Sequence, residues 1–355
     1  MNKKFIIIFL VLFLFMGFLL VFFSFEGNQK KFVELLDRFD NTEKEIIQIK
    51  SISGTNLEYV SGRLMRFDGE KLTTMDMDEN LLWQKTFLLS NLTFTKGDSK
   101  VSVYNKEIGE IYVYNTNGET LVELKLEKEI YLVNLFEKGI AIHSKIDAMD
   151  EIAFYDYNGN LIKELAYNDS YLINYYMEHG DIFTVELSQN STGFTSSLIN
   201  HSKDNNTDFS IDNEIIIRRY SLGSLDVYLT DEGVKAIKSQ EILWEKEFSV
   251  IRDVLIDGDD IYILYGNNLE ILNKDGESKV KFSLALEYKK IYRHGKYIII
   301  VGEKDLIAYL HNTEVGRFYF LRKTKDINTQ FNELVVSLED GISVLRIEDM
   351  VTKEE

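Results

Sequence analysis

Two acidic clusters have spacing that could bind a metal ion. The segment DMDEN at 76–80 places oxygen-bearing residues at alternate positions, as at the start of a calcium-binding EF-hand loop. An EF-hand requires Gly at its sixth position and a bidentate Glu at its twelfth, where this chain has Leu81 and Phe87. The other cluster, Asp-Gly-Asp-Asp at 257–260, lies between two apolar runs. Both are interpreted as solvated turns, so no metal site is predicted.

Histidines are the other candidates for chemistry. The five are scattered, with no His-Glu-x-x-His pair: His143, His179, His201, His294 and His311. The chain also lacks a Gly-x-Ser-x-Gly elbow, a Walker loop and a Gly-x-Gly-x-x-Gly motif. Because there is no Cys, thiolate catalysis, Cys-ligated zinc and disulfides are excluded. We predict no catalytic residue, no cofactor and no metal ligand, and the binding residues are unknown. A catalytic triad assembled from distant segments remains an alternative.

The charge balance argues against one class of binding partner. Beyond residue 31 the chain has 36 basic and 57 acidic residues, a net charge of −21. Nucleic-acid binding needs basic surface to neutralise phosphates, so no nucleic-acid partner is expected. Basic pairs do occur at 218–219, 289–290 and 322–323. They are interpreted as solvated edges of the fold.

The amino terminus predicts a membrane anchor. Residues 5–25 contain no charged residue and match the roughly 20 helical residues that cross a bilayer. This apolar stretch is longer than that of a cleaved signal peptide and lacks small residues at its exit, so a signal-anchor is favoured. Lys3 and Lys4 favour a cytoplasmic amino terminus. We expect residues 1–27 to form the cytoplasmic stub and transmembrane helix of a single-pass cell-membrane protein whose remaining residues are extracytoplasmic.

Residues 28–44 should form a short juxtamembrane helix. Phe32, Leu35, Leu36 and Phe39 recur at the spacing of one helical stripe. The stripe indicates a stalk that packs under the next domain or lies on the membrane. A helix that binds a partner is the alternative.

From residue 45 to residue 355 the pattern is typical of an all-β domain. Short runs of Ile, Val, Leu, Tyr and Phe alternate with charged residues and are separated by Gly, Asn and Asp. Asn-Gly or Asp-Gly at 117–118, 158–159 and 275–276 predicts type I′ hairpin turns. His179 and His294 each precede a Gly at similar offsets, which also indicates turns.

The hairpins recur with a period of about 40 residues. Eight turn positions fall in one column, of which Asn200 marks a degenerate copy: Asp78, Asn117, Asn158, Asn200, Ser239, Asp275, Asn312 and Asp349. Four strands in such a period are typical of β-propeller blades. We predict an eight-bladed propeller. A seven-bladed ring is the alternative, with the polar stretch 188–208 as an extended recognition loop instead of a drifted blade.

The ends of the repeat predict how the ring closes. After Asp349 too few residues remain for the outer strand that follows each turn in the other copies. The segment EIIQIKSI at 45–52 precedes the first full copy. Supplied as the outer strand of the last blade, it would pair an exposed edge and close the ring.

The copies NLLWQKTF and EILWEKEF resemble the quinoprotein-type (PQQ-like) propeller repeat, which is WD40-like in its blades. That repeat has a turn Gly ahead of a Trp on the outer strand, and here Trp83 and Trp244 occupy the Trp column while Val122, Lys163 and Val280 replace it elsewhere. These Trp residues are interpreted as packing groups. Nearly the whole chain is similar to an uncharacterised family of single-pass membrane-anchored propeller proteins of Gram-positive bacteria.

Two classes of function stay open. The anchor, the repeat and the absence of a recognisable catalytic set favour a non-catalytic platform at the cell envelope that binds an envelope protein or an extracellular ligand. Quinoprotein dehydrogenases imply a quinone, a calcium ion and, in several members, adjacent cysteines, which this chain lacks. We expect the platform. A quinone-dependent or hydrolytic propeller enzyme is the alternative.

Overall fold

The computed structural model describes residues 44–146, 149–168, 170–202, 207–310, 312–329 and 333–349. These residues form strands joined by turns, in eight four-stranded antiparallel sheets. No helix among them is long and apolar enough to cross a membrane. The expected anchor (1–27), most of the expected juxtamembrane helix (28–44) and His311 lie outside the described residues.

Seven blades are built from four consecutive strands each. Blade 1 contains β2 (Leu57–Val60), β3 (Arg63–Phe67), β4 (Lys71–Met75) and β5 (Leu81–Thr86). Blade 2 contains β6 (Leu92–Lys96), β7 (Lys100–Asn105), β8 (Glu110–Asn115) and β9 (Thr120–Lys125). Blade 3 contains β10 (Ile130–Leu135), β11 (Gly139–Ile146), β12 (Met149–Asp156) and β13 (Leu161–Tyr167). Blade 4 contains β14 (Tyr171–Glu178), β15 (Asp181–Gln189), β16 (Phe194–Asn200) and β17 (Thr207–Asp212).

Blade 5 contains β18 (Ile216–Leu222), β19 (Leu225–Thr230), β20 (Gly233–Lys238) and β21 (Glu241–Glu247). Blade 6 contains β22 (Ile251–Asp257), β23 (Asp260–Tyr265), β24 (Asn268–Asn273) and β25 (Ser278–Ser283). Blade 7 contains β26 (Tyr288–His294), β27 (Tyr297–Gly302), β28 (Asp305–Leu310) and β29 (Thr313–Tyr319). Blade 8 combines β30 (Thr324–Asn328), β31 (Leu334–Leu338) and β32 (Gly341–Asp349) with β1 (Lys44–Ser53) from the other end of the body.

This topology confirms both the eight-blade count and the closure. The predicted degenerate copy around Asn200 is the four-stranded blade 4. The described part of 188–208 lies mainly in its strands β15, β16 and β17, so the seven-bladed alternative is wrong. The predicted outer strand at 45–52 is β1, which pairs with β32. At its carboxyl end, the amide of Gly54 donates to the carbonyl of Asp340 at 3.0 Å.

Eight buried apolar clusters close the ring, one between each pair of successive blades. Between blades 8 and 1, for example, Val335 and Val344 pack with Leu57 and Leu64. Blades 7 and 8 are joined by a cluster that includes Ile46 of β1. The compact unit Ile46–Ile347 therefore has a continuous core that returns to its own beginning.

The turns between third and fourth strands differ from the predicted type. In the Asn-Gly and Asp-Gly pairs only the glycine has positive φ, so these are not type I′ turns. The strand pairing slips by one residue at each of them, which is typical of a type I turn followed by a bulge with Gly in the left-handed region. The reason is the side chain that opens each turn. In blade 2, for example, Asn115 Oδ1 accepts hydrogen bonds from the amides of Asn117 at 3.0 Å and Glu119 at 3.1 Å.

Candidate binding face at the channel mouth

The first strand of each blade lies nearest the central channel. First strands of neighbouring blades contact one another. Examples are the contacts of β6 with β10, of β14 with β18 and of β22 with β26. The fourth strands, by contrast, are exposed along most of their length, as in β5, β13 and β21. The face at which the first strands begin is called the entry face below. It consists of the loops between blades and the turns between second and third strands.

Six of the eight first strands carry a β-bulge near their start, at the third residue of β14 and at the second residue of the other five. The bulged positions have no partner on the second strand: Tyr131, Ile173, Ile217, Arg252, Lys289 and Lys325. The pairings of β2 and β6, in blades 1 and 2, show no shift. A bulge redirects a side chain, and bulges are over-represented next to functional sites. All six bulged residues are exposed although they lie on the innermost strands.

Side chains of neighbouring blades hold these bulges in place. Asn174, next to the bulge of blade 4, donates to the carbonyl of Ile217 at 3.1 Å, which is the bulged residue of blade 5. Asp253 Oδ2 accepts from the amide of Ile291 in blade 7 at 2.9 Å. The mouth is therefore a fixed feature of the ring and not a set of independent loops.

Blades 1, 2 and 8 meet through an ion-pair bridge. Lys96 Nζ lies 2.8 Å from Glu58 Oε2 and 2.8 Å from Asp326 Oδ2. Burial lowers the pKa of Lys96, but the hydrogen bonds and charges of the two carboxylates outweigh it, so the pKa is raised above its usual value. This lysine is therefore protonated and already neutralised within the ring.

The bulged residues divide by chemistry along the ring. Blades 3, 4 and 5 present Tyr131, Ile173 and Ile217, which are 37–43% exposed. Blades 6, 7 and 8 present three exposed cations: Arg252, Lys289 and Lys325. We call these the apolar arc and the cationic arc. Each arc covers three successive blades.

Further apolar side chains surround the mouth on the loops between blades. Leu88 and Leu321 are more than 90% exposed, and Val250 and Leu286 are 60% and 45% exposed. They lie in the loops that lead into blades 2, 8, 6 and 7, respectively. Exposed apolar side chains rimmed by polar ones are typical of an interaction surface.

The predicted turn clusters lie on the opposite face, and hydrogen bonds within the turn hold the first of them. Asp76 Oδ1 accepts from the amides of Asp78 and Asn80, both at 2.9 Å, and Asp76 Oδ2 accepts from Asn80 Nδ2 at 3.0 Å. The side-chain and backbone donors of Asn80 lower the pKa of Asp76. The segment 257–260 likewise forms the turn between β22 and β23. Among the described residues no group of three His, Cys, Asp or Glu could hold a metal ion.

The tryptophans pack between blades, as predicted. Trp83 Nε1 donates to the carbonyl of Thr116 at 2.9 Å, and Trp244 Nε1 donates to that of Lys274 at 2.8 Å. Each indole thus covers the turn between the third and fourth strands of the next blade. Beside Trp244 lies a cavity of about 520 Å³ whose lining mixes apolar and charged side chains, among them Leu243, Lys238 and Asp275.

The described histidines do not meet one another in one site. His179 and His294 lie at the turns between first and second strands of blades 4 and 7, as predicted. His201 makes the nearest approach to a catalytic set, with Nε2 2.8 Å from Thr184 Oγ1, which in turn lies 2.9 Å from Glu186 Oε1. A triad requires the imidazole between hydroxyl and carboxylate. Here the hydroxyl is in the middle, and Thr184 is fully buried.

The basic pairs were misplaced by the sequence interpretation. Arg218–Arg219 and Lys289–Lys290 lie on innermost strands and not on solvated edges. Arg219 is largely buried, with Nη2 2.9 Å from Glu178 Oε2. Sequence reasoning missed the mouth because an inserted bulge residue looks like any other residue of an apolar strand. The one available signal was a basic residue at the same offset from the start of three consecutive first strands.

The sequence matches the family described as "Family of unknown function (DUF5711)" over residues 38–347, and the chain belongs to that family. No curated protein matches the sequence. Among solved structures, the chain is similar to BamB from Moraxella catarrhalis, with a TM-score of 0.59 and 10% identity over 85% of this chain and 99% of that one. It is also similar to the dihydro-heme d1 dehydrogenase NirN in complex with DHE, with a TM-score of 0.55 and 10% identity over 84% of this chain and 75% of that one. At this identity the likeness shows the propeller fold alone.

Proposed function

We propose that this member of the DUF5711 family is a non-catalytic propeller, anchored in the cell membrane by its amino terminus, which binds a protein partner at the cell envelope through its entry face. The observation that carries the proposal is the ring of bulged, exposed side chains at the channel mouth. A surface of exposed apolar and cationic side chains on a rigid scaffold is suited to recognition.

The direction of the chain supports this use of the face. The carboxyl end of β1 lies at the entry face, where the amide of Gly54 donates a hydrogen bond to the carbonyl of Asp340. Because β1 crosses the blade, its beginning lies at the opposite face, where the polar turns are. The entry face is therefore the face farther from Lys44, at which the described part of the chain begins.

The enzyme alternative receives less support from the same geometry. A catalytic group needs access to substrate, whereas the set formed by Thr184, Glu186 and His201 has a fully buried hydroxyl. The likeness to the NirN structure extends to the fold and carries no residue of that enzyme to this chain.

Photo-crosslinking in intact cells tests the proposal with a matched pair of positions. A photoreactive amino acid replaces Ile217 at the mouth or Ile242 on the outer strand of the same blade, which are 41% and 45% exposed. We expect a discrete protein adduct from position 217 and none from position 242. Equal adducts at the two positions, or none at 217, would refute the proposed face.

A further inference from the structure

The two arcs specify the chemistry of the partner. Resting on the proposed function, we infer that the mouth binds a polypeptide segment that is both acidic and apolar, with its apolar side chains on blades 3–5 and its carboxylates on blades 6–8. The argument has three steps: the charge of the cationic arc, the apolar arc, and the rigid spacing of both.

The cationic arc is opposite in sign to the net charge of the chain. The protein has 58 acidic and 40 basic residues, yet three successive blades place a basic residue at the same bulged position. Arg252 forms an ion pair with Glu287. Within the part of the chain that the structure describes, Lys289 and Lys325 have no carboxylate within 4 Å, so both can accept one from a partner.

Two loop cations next to this arc do not add to it, because carboxylates already pair with them. Lys323 pairs with Glu303, and Arg322 Nε lies 2.9 Å from Asp340 Oδ2. The positive charge available to a partner is therefore that of the bulged residues. A carboxylate of a partner would be steered to that place by charge complementarity.

The bulged residues of the apolar arc themselves carry no charge, and the exposed Arg218 that follows Ile217 stacks over the Tyr220 ring. Tyr131 packs edge-on against His143 at 5.6 Å between ring centroids, and His143 packs edge-on against Tyr175 at 6.1 Å. The Tyr175 hydroxyl accepts from Asn134 Nδ2 at 2.9 Å. These contacts hold an exposed aromatic edge in place, next to Ile173 and Ile217 in the following blades. Rigid aromatic and aliphatic groups are the usual anchors of an interface.

The fixed spacing of the arcs selects a polypeptide with two kinds of side chain. A purely acidic ligand would leave three apolar side chains facing water, and a purely apolar one would leave the cations without partners. A segment that carries both meets the two arcs at once, and specificity follows from their separation on a closed ring.

Binding of three synthetic peptides of equal length to the full-length protein in detergent tests the inference. The peptides alternate Glu with Leu, Lys with Leu, or Glu with Ser, and fluorescence anisotropy reports affinity. We expect the Glu/Leu peptide to bind at least tenfold more tightly than either of the others. Higher salt should weaken it, since charge contributes to binding.

Charge reversal identifies the arc responsible. The triple variant Arg252→Glu, Lys289→Glu, Lys325→Glu should lose at least tenfold in affinity for the Glu/Leu peptide. A control with the same change in net charge reverses three exposed lysines on outer strands of blades 1–3, namely Lys85→Glu, Lys125→Glu and Lys163→Glu, and should change affinity less than threefold. Circular dichroism confirms that both variants are folded.

Three outcomes would overturn the inference. They are equal affinity for the three peptides, equal losses in the two triple variants, and binding of phosphatidylglycerol vesicles in preference to the Glu/Leu peptide, which would indicate a lipid surface. If position 217 crosslinks a partner in cells but the peptides show no preference, the platform stands and its proposed chemistry fails. If the peptides rank as expected but no adduct forms in cells, the mouth has the inferred chemistry but the proposed binding of a protein partner in cells is contradicted.

Discussion

At the scale of single residues, the turns between third and fourth strands show how local chemistry builds the ring. Four of them open with Asp or Asn and place the complementary amide or carboxylate four residues later: Asp76 with Asn80, Asn115 with Glu119, Asp156 with Asn160, and Asn273 with Glu277. One member of every pair donates an amide hydrogen and the other accepts it. The pairing closes the turn around one left-handed residue, which is a glycine in three of the four turns and Glu79 in the other.

Replacing the turn glycines should separate the free-energy cost of a left-handed backbone from the cost of crowding a neighbouring side chain. Gly276 (φ +80°) and Gly159 (φ +81°) have nearly the same backbone conformation, but an added Cβ would lie 2.6 Å from Trp244 at one and 3.9 Å from Leu124 at the other. Gly159→Ala should cost about 1–2 kcal/mol for a left-handed residue with a side chain. Gly276→Ala should cost about 1–3 kcal/mol more from overpacking, as measured by urea denaturation.

A double-mutant cycle gives this comparison its control. In a Trp244→Leu background the ring that the new Cβ would meet is gone, so Gly276→Ala should cost no more than Gly159→Ala. If the excess persists without the Trp, the tryptophan contact does not explain it. Equal costs of the two glycine substitutions in the native background would also contradict the packing argument.

At the scale of elements, β1 is the strand that joins the two ends of the body. Ile46 is buried in the cluster between blades 7 and 8, and Ile52 in the cluster between blades 8 and 1. One strand thus contributes to two interfaces. Its alternate residue Ile49 is 38% exposed, as expected of an outer strand with one solvated face.

Substitutions along β1 should show that its buried face holds the ring closed. Ile52→Ala should lower the free energy of unfolding by about 2–5 kcal/mol, because it leaves a cavity in the closing cluster. Ile49→Ala, the same change on the same strand, should cost less than about 1 kcal/mol. Chemical denaturation measures both, and similar losses in the two variants would mean that β1 does not seal the ring.

Elements also show what sequence could and could not predict. The blade count and the closing strand were predictable because turn residues recur at a steady spacing and because too few residues follow Asp349. The bulges were not predictable, since the residue inserted in β14 or β18 is an isoleucine that directly follows another apolar residue, as is common in strands. The turn type was misjudged for a related reason: Asn115 acts through its side chain, which the dipeptide signal ignores.

At the scale of the whole molecule, closure gives the ring two unlike faces. One has turns whose polar groups bond within themselves, and the other has the bulged mouth and exposed apolar loops. Because β1 runs from the first face to the second, its first residue, Lys44, lies at the polar side. The proposed membrane topology would therefore leave the mouth open to envelope proteins.

Cysteine labelling in intact cells tests that topology at single chosen positions, because the chain has no Cys of its own. Leu88→Cys lies on the entry face and is fully exposed, and Asn158→Cys lies on the opposite turn face. Both should react with a membrane-impermeant maleimide if the propeller is extracytoplasmic. Asn2→Cys, before the apolar stretch at 5–25, should react only after lysis, since Lys3 and Lys4 favour a cytoplasmic amino terminus. Labelling of Asn2→Cys in intact cells together with protection of the two propeller positions would invert the topology and place the mouth in the cytoplasm.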